Sequence, residues 1–122
     1  MKIIDSNVLI YSLERRYDYL KEIVFDNDNA VSAITQIEVL GFHKIKTDEK
    51  LYFEALFGQL HSLEINIQIV NQAITLKQTA KMDLPDAVIA ATALHYNAEL
   101  ITVNTKDFIH IPNLKITNPI EK

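Results

Sequence analysis

Short apolar runs alternate along this chain with longer segments in which apolar residues recur at helical spacing. The short runs predict four strands and a possible fifth, because brief apolar runs bounded by polar turns are typical of buried strands. These strands are predicted at residues 2–5, 30–33, 63–65, 99–103 and 114–117. The segments between them predict helices at 6–13, 17–25, 35–44, 47–60, 68–81 and 85–96. Strands that alternate with helices indicate an α/β fold with a parallel sheet covered on both faces.

The predicted helix at 85–96 is apolar on nearly every side, which indicates that it lies inside the domain. Pro85 suits the first helical position, because that position needs no backbone N–H donor. Asp86 follows in the first turn, where the helix dipole favours negative charge. An acid at this place either caps the helix or belongs to a functional site, and the residues themselves leave both interpretations open.

Composition narrows the class of protein. The 122 residues suit a single domain, expected over 1–122, and the absence of cysteine excludes a disulfide framework and a thiolate metal site. The net charge of −4 argues against a nucleic-acid module held by phosphate contacts alone, but it allows an enzyme whose acids bind cations. No apolar run approaches the roughly 18–20 residues of a membrane span, so no membrane contact and a cytoplasmic location are expected.

Four carboxylates fall near the carboxyl ends of predicted strands, where ligands of parallel sheets bind. Asp5 ends the first strand, Glu38 lies one helical turn after the second, and Asp86 begins the helix that leads into the fourth. Asp107 lies in the loop after that fourth strand. The spacing therefore allows all four acids to meet at one edge of the sheet.

Each acid also has a purely structural interpretation. Asp5 could cap the first helix, Glu38 could form a capping box with Thr35, and Asp107 could be an ordinary loop acid. If the four carboxylates gather, however, they repel one another unless cations neutralise them. Oxygen ligands without cysteine suit Mg²⁺ or Mn²⁺ rather than zinc, and such a site serves phosphoryl chemistry.

Four segments resemble the motifs of PIN-domain proteins, in the same order and at suitable intervals, and they cover almost the whole chain. They are residues 3–10, the pattern Ser32-x-x-Thr35-x-x-Glu38 with the two residues after it, residues 84–93 and residues 100–108. The third segment is the most specific. Within the family, the chain is most similar to VapC-like toxins of bacterial toxin–antitoxin pairs.

This resemblance implies a three-layer α/β/α sandwich with a central parallel sheet of about five strands, as is common for such sheets. It implies a Mg²⁺- or Mn²⁺-dependent endoribonuclease, the toxin of a type II toxin–antitoxin pair, in which metal-activated water cleaves RNA to leave 5′-phosphate and 3′-hydroxyl ends. The implied partners are an RNA substrate, an antitoxin protein and a second copy in a homodimer. The implied catalytic and metal-binding acids are Asp5, Glu38, Asp86 and Asp107, supported by Ser6, Thr35 and Asn104.

Two other classes of protein compete with this interpretation. A catalytically weak PIN-like module that binds protein or RNA would keep the fold without turnover. A phospho-acceptor receiver domain has a similar length and sheet, but it needs an acceptor Asp after the third strand and paired acids after the first. Residues 63–66 contain no Asp, and only Asp5 follows the first strand, so the receiver is disfavoured.

The remaining charged and apolar residues allow weaker predictions. Asp83 is expected to be solvated and without a chemical role. The helices could expose an apolar groove for an antitoxin helix or a dimer partner, although core packing accounts for most of the residues concerned, which are Tyr11, Leu13, Tyr17, Leu20, Val24 and Phe42. Several basic residues could hold RNA phosphates, although a solvated surface is the simpler interpretation. They are Arg15, Arg16, Lys44, Lys46, Lys81 and Lys106.

Overall fold

A computed structural model describes residues 1–120. The strands are β1 (Lys2–Ile4), β2 (Asn29–Ser32), β3 (His61–Leu63), β4 (Glu99–Ile101) and β5 (Lys115–Thr117). The helices are α1 (Ser6–Tyr11), α2 (Leu20–Val24), α3 (Ala33–Leu40), α4 (Thr47–Gln59), α5 (Ile67–Thr79) and α6 (Leu84–His95), with 3₁₀ turns at Arg15–Tyr17 and Thr105–Asp107. All five strands pair in parallel in the order β3-β2-β1-β4-β5, which confirms the predicted parallel sheet.

Helices cover both faces of this sheet. Successive residues of a strand point to opposite faces, so Ile3 and Leu100 pack on the side of α5 and α6, whereas Ile4 and Ile101 pack on the side of α1 to α4. The two clusters form separate apolar layers above and below the strands. The predicted three-layer α/β/α sandwich is therefore confirmed.

Helix α6 is the most deeply buried helix of the fold. Its residues 87–93 are all buried, and four of these seven are alanines. Small side chains let the helix backbone lie close to its neighbours, and α6 packs most extensively on α5. The buried helix predicted from residues 85–96 is thus confirmed, with Pro85 in its first turn.

Several predicted boundaries are wrong. Helix α3 begins at Ala33 rather than at residue 35, since the hydroxyl of Ser32 accepts the N–H of Ile34 at 3.2 Å. The helix predicted over 17–25 is instead a 3₁₀ turn followed by the short α2. The third strand covers residues 61–63 rather than 63–65. These residues pair in register with Ala30 to Ser32 of β2.

The order of the strands creates a crevice beside β1. From β1 the chain builds outward to β2 and β3, and it then returns to place β4 and β5 on the other side of β1. Ligands of such sheets bind outside the carboxyl ends of the strands, at the point where the strand order reverses. Asp5 and the residues that follow Ile101 lie at this point. Across residues 1–120, none of the helices has the length and apolar character needed to cross a membrane.

Candidate active site

Asp5 follows β1 directly and is nearly inaccessible, with 4% of its surface exposed. Its Oδ1 accepts the backbone N–H of Ser6 at 2.8 Å, and its Oδ2 accepts the hydroxyl of Thr102 at 2.8 Å and the amide of Asn7 at 3.2 Å. Asp5 is therefore the N-cap of α1, which is the structural interpretation that its sequence position allowed. The same hydrogen bonds hold its carboxylate in one orientation at the switch point.

Thr102 and Asn7 are the residues that sequence reasoning missed. The hydroxyl of Thr102, which is fully buried, also accepts the N–H of Asn104 at 3.1 Å. The amide oxygen of Asn7 accepts the N–H of Val103 at 3.2 Å, so α1 is tied to the loop after β4. The only sequence signal was position, since each residue comes just after the carboxyl end of a strand. These two side chains position Asp5.

The acids predicted for the site influence one another. The pKa of Asp86 is raised to about 6, first by burial and then by the charges of Asp5, Asp107, Asp83 and Glu38, in that order. Carboxylates shift one another's pKa only when they lie near each other in a poorly screened environment. The structure therefore brings Asp5, Glu38, Asp86 and Asp107 to one edge of the sheet.

Asp5 and Glu38 are perturbed in the same direction. Burial raises the pKa of Asp5, and its hydrogen bonds to Thr102, Ser6 and Asn7 oppose this shift. Partial removal from water raises the pKa of Glu38, and the charge of Asp5 adds to this. The Ser6 side chain lowers the pKa of both carboxyls and so opposes these shifts.

Asp83 is exposed, as expected, and it lies beside two of the predicted acids, Asp86 and Asp107. It is the N-cap residue of α6, but its side chain makes no capping hydrogen bond. Its charge contributes to the raised pKa of Asp86. Together with Asp86 and Asp107 it lines a cleft of about 230 Å³ beside the 3₁₀ turn at Thr105–Asp107.

Nothing in residues 1–120 neutralises these acids by direct pairing. The ion pairs of this part of the chain join Arg16 to Glu14 and Lys21 to Asp18. Over the same residues, no three acids or histidines stand close enough to form a ready-made ligand set for a metal. The carboxylates are gathered, but they are more widely spaced than a preformed metal site. A set of uncompensated oxygen donors nevertheless fits a divalent cation such as Mg²⁺ or Mn²⁺.

The PIN domain family model matches residues 2–114. The chain belongs to the PIN-domain family. This PIN domain is 28% identical over 127 residues to a protein named ribonuclease VapC from Rickettsia bellii (strain RML369-C), with 93% of this chain and 92% of that protein covered. The family and the VapC-like resemblance inferred from the four motifs are thereby confirmed.

Solved structures agree with the family assignment of the PIN domain. A chain of a toxin–antitoxin complex from Klebsiella pneumoniae superposes with a TM-score of 0.82 at 33% identity, covering 100% of both chains. A chain of VapBC-1 from nontypeable Haemophilus influenzae superposes with a TM-score of 0.77 at 27% identity, covering 96% of each chain. The fold of this PIN domain is therefore shared with members of toxin–antitoxin complexes along its full length.

The predicted capping box of Thr35 and Glu38 is wrong in this PIN domain. Ser32 caps α3, so Thr35 lies inside the helix and Glu38 does not reach back to its start. Thr35 is fully buried, and its hydroxyl is a buried polar group without a hydrogen-bond partner. Asn104, the third expected supporting residue, is exposed, and its backbone N–H bonds to Thr102.

The unpartnered hydroxyl leads to a prediction for Thr35→Val. This change keeps the shape of the side chain and removes a buried hydroxyl that gains no hydrogen bond, so we expect the free energy of unfolding to rise by up to about 1 kcal/mol. Chemical denaturation of the wild type and the variant in EDTA measures this change in the free energy of unfolding. A loss of stability would show that the hydroxyl has a partner in the folded protein. A stable variant with reduced cleavage would indicate that the hydroxyl serves the loaded site.

The pKa of Asp86 predicts a pH-dependent effect of Asp86→Asn on stability. Well below pH 4 the carboxyl is protonated in both the folded and the unfolded chain, so it does not affect folding. Between pH 4 and 6 the unfolded chain loses the proton first, so stability falls and the deficit is complete above pH 6. Asparagine removes this deficit. After allowing for solvent screening of a partly exposed group, we expect Asp86→Asn to raise the free energy of unfolding by about 1 kcal/mol at pH 7. This corresponds to a rise of about 4 °C in Tm.

Thermal unfolding of both proteins in EDTA at pH 4 and pH 7 measures this effect. The variant should exceed the wild type in Tm at pH 7, and the difference should be much smaller at pH 4, where the effect has only begun. Equal Tm values at both pH values would contradict the raised pKa of Asp86.

An apolar groove adjoins the acidic group at Glu38. It has a volume of about 310 Å³ and combines residues of α1, α3 and α4 with the loop between the last two. Glu38 is part of its lining, and Ile10 and Phe42 are 51% and 52% exposed. Of the residues predicted to form a groove, Leu13 and Phe42 line it, whereas Leu20 and Val24 are buried in the core.

Proposed function

We propose that this chain, acting as a single PIN domain over 1–122, is a divalent-metal-dependent endoribonuclease and the toxin of a type II toxin–antitoxin pair. The gathering of Asp5, Glu38, Asp86 and Asp107 at the switch point of the sheet carries the proposal. The raised pKa values of Asp5, Glu38 and Asp86, and the absence in residues 1–120 of a lysine or arginine paired with any of the four acids, indicate a site that requires positive charge. The relative named ribonuclease VapC and the superposed members of toxin–antitoxin complexes support it.

The four acids are the proposed holders of Mg²⁺ or Mn²⁺. When bound, such a cation lowers the pKa of a water molecule and stabilises negative charge on the phosphate and the leaving oxygen. Asp5 is fixed by the hydroxyl of Thr102 and the backbone of Ser6, so its carboxylate needs no rearrangement when the substrate arrives. Glu38 is exposed and orients the attacking water, and Asp107 completes the group. The products are RNA ends that carry a 5′-phosphate and a 3′-hydroxyl.

The apolar groove is the proposed docking site of the antitoxin. A helix with an apolar face is the partner that such a groove accommodates. Because Glu38 belongs both to the groove lining and to the acidic group, a partner seated there lies beside the proposed catalytic residues.

A second surface supports the proposed homodimer. Helix α5 buries one apolar stripe, formed by Ile69, Ala73 and Leu76, in the core. A second stripe on the same helix stays accessible, with Ile67 64% and Ile74 49% exposed. A helix that only packed on the sheet would need one apolar stripe, so the second indicates a further contact.

Cleavage of total cellular RNA by the purified protein in Mg²⁺, in Mn²⁺ and in EDTA tests the proposed function. We expect cleavage only with metal, and a rise in Tm when metal is added, since a ligand that binds only the folded chain stabilises it by about 2.7 kcal/mol at 100 times its Kd. A folded protein that neither cleaves RNA nor responds to metal would contradict the proposal and favour a PIN-like binding module.

A further inference from the structure

The acidic group has a cationic flank as well as an apolar one. The cleft of about 230 Å³ that contains Asp83, Asp86 and Asp107 is also lined by Lys81, Lys106 and His110. Both lysines are exposed, and neither takes part in the ion pairs of residues 1–120. The groove that contains Glu38, in contrast, is mostly apolar, and its lining within residues 1–120 carries no lysine or arginine, only the acids Glu38 and Glu49. Positive charge is therefore present on one side of the site.

This flank extends past the 3₁₀ turn at Thr105–Asp107. A second depression, of about 400 Å³, is lined by Asn104, Thr105 and Asn118. Lys106 and Asp107 line both depressions, so the two are adjacent along the turn. The result is a polar path that runs beside Asp86 and Asp107, and Lys81 and Lys106 line the cleft with these acids.

The chemistry of this path suits the backbone of a nucleic acid strand. Lysine ammonium groups bind phosphates as point charges, and amide and hydroxyl side chains such as Asn104 and Thr105 also donate to phosphate oxygens. Once the acids are neutralised at the site, the two ammonium groups remain as the local positive charge. The lysines lie beside the acids and do not pair with them. They are therefore free to bind the RNA phosphates next to the one that sits at the acidic group.

We propose that Lys106 and Lys81 bind phosphates next to the scissile one and so position an RNA strand across Asp86 and Asp107. This inference rests on the proposed ribonuclease function and adds to it two positioning residues and the path of the substrate. Because the contacts are to the backbone, they strengthen binding to all sequences alike and do not select a cleavage sequence.

The salt dependence of RNA binding and cleavage tests this inference. Lys106→Gln and Lys81→Gln remove one charge each, Lys106→Arg restores it, and Lys115→Gln is the matched control. Lys115 is equally exposed but begins β5, so it lies at the amino edge of the sheet, away from the acids. The substrate is a fluorescent single-stranded RNA at 50 to 200 mM KCl with a fixed divalent concentration. KM and kcat are measured in Mg²⁺, and Kd is measured by anisotropy in Ca²⁺, so that binding is measured whether or not the strand is cut.

Each lost phosphate contact should reduce the slope of log Kd against log salt by about 0.7, the value for single strands. We expect Lys106→Gln and Lys81→Gln to show this loss and a rise in KM of about threefold or more, with kcat within about twofold of the wild type. Lys115→Gln should match the wild type in both slope and KM, and Lys106→Arg should recover the slope.

Slopes and KM values that match the control would overturn the lysine assignment even if the protein cleaves RNA. A fall in kcat at constant KM would also overturn it, since the lysines would then act in the chemical step. Binding that shows the expected slopes without any cleavage would uphold the RNA path and refute the proposed ribonuclease activity. If the substitutions weaken an antitoxin complex but not RNA binding, the flank is a protein contact and the inference fails.

Discussion

Replacing Asp86 by asparagine is expected to lower metal-dependent RNA cleavage by at least about 100-fold while the fold is retained. Loss of a residue that only orients a metal ligand already costs 10–100-fold, so loss of a proposed ligand should reach the upper end of that range or exceed it. The fold should survive because asparagine is nearly isosteric and Asp86 is only partly buried, at the start of α6. Its charge also opposes folding at neutral pH, as the raised pKa shows.

The measurement compares initial cleavage rates of wild type and Asp86→Asn in Mg²⁺, with circular dichroism as a check on folding. Asp18→Asn is the matched control, because it removes an exposed carboxylate that pairs with Lys21 outside the acidic group. The control should cleave as the wild type does. Full activity in Asp86→Asn would remove this residue from the mechanism, and it would point to a contaminating nuclease if cleavage also persisted in EDTA.

Thr102→Val is expected to reduce cleavage by about 10–100-fold and to destabilise the protein by about 1–3 kcal/mol. The change removes the hydroxyl that donates to Asp5 at 2.8 Å and accepts the N–H of Asn104 at 3.1 Å. Asp5 then stays buried with fewer donors, so its pKa rises further. The lost hydrogen bond stabilises the charged form of Asp5. The loss of stability should therefore be larger at pH 7 than below pH 4.

Thr92→Val is the matched control for this prediction. Thr92 is also buried, at 1% exposure, but its hydroxyl donates only to the carbonyl of Val88 one turn earlier in α6. Removing that local bond should change stability and cleavage little. Chemical denaturation at pH 4 and pH 7 and cleavage rates in Mg²⁺ separate the two variants. Equal behaviour would show that the hydroxyl of Thr102 does not position Asp5.

The sequence by itself predicted the class of fold and the neighbourhood of the acids. Apolar runs and helical spacing report which residues are buried, and burial is the strongest local signal that a chain carries. The all-round apolar character of 87–93 predicted the central helix for that reason. Asp5 and Asp107 could be placed at one edge because every parallel strand ends there. The Glu38 capping box was mispredicted, since Thr35 and Ser32 are both good caps and only packing of α3 selects Ser32.

Tertiary structure alone decided how the site is held and what surrounds it. Thr102 donates to Asp5 across 97 positions of sequence, because β1 and β4 pair directly although most of the chain lies between them. Helix α6 docks beside the turn after β4. This docking places Asp83, Lys81 and Lys106 in one cleft with Asp86 and Asp107. Local patterns specify periodicity and caps, whereas contacts between distant segments depend on strand order. The sequence therefore determined which residues were available for chemistry, and the pairing of strands decided which of them meet.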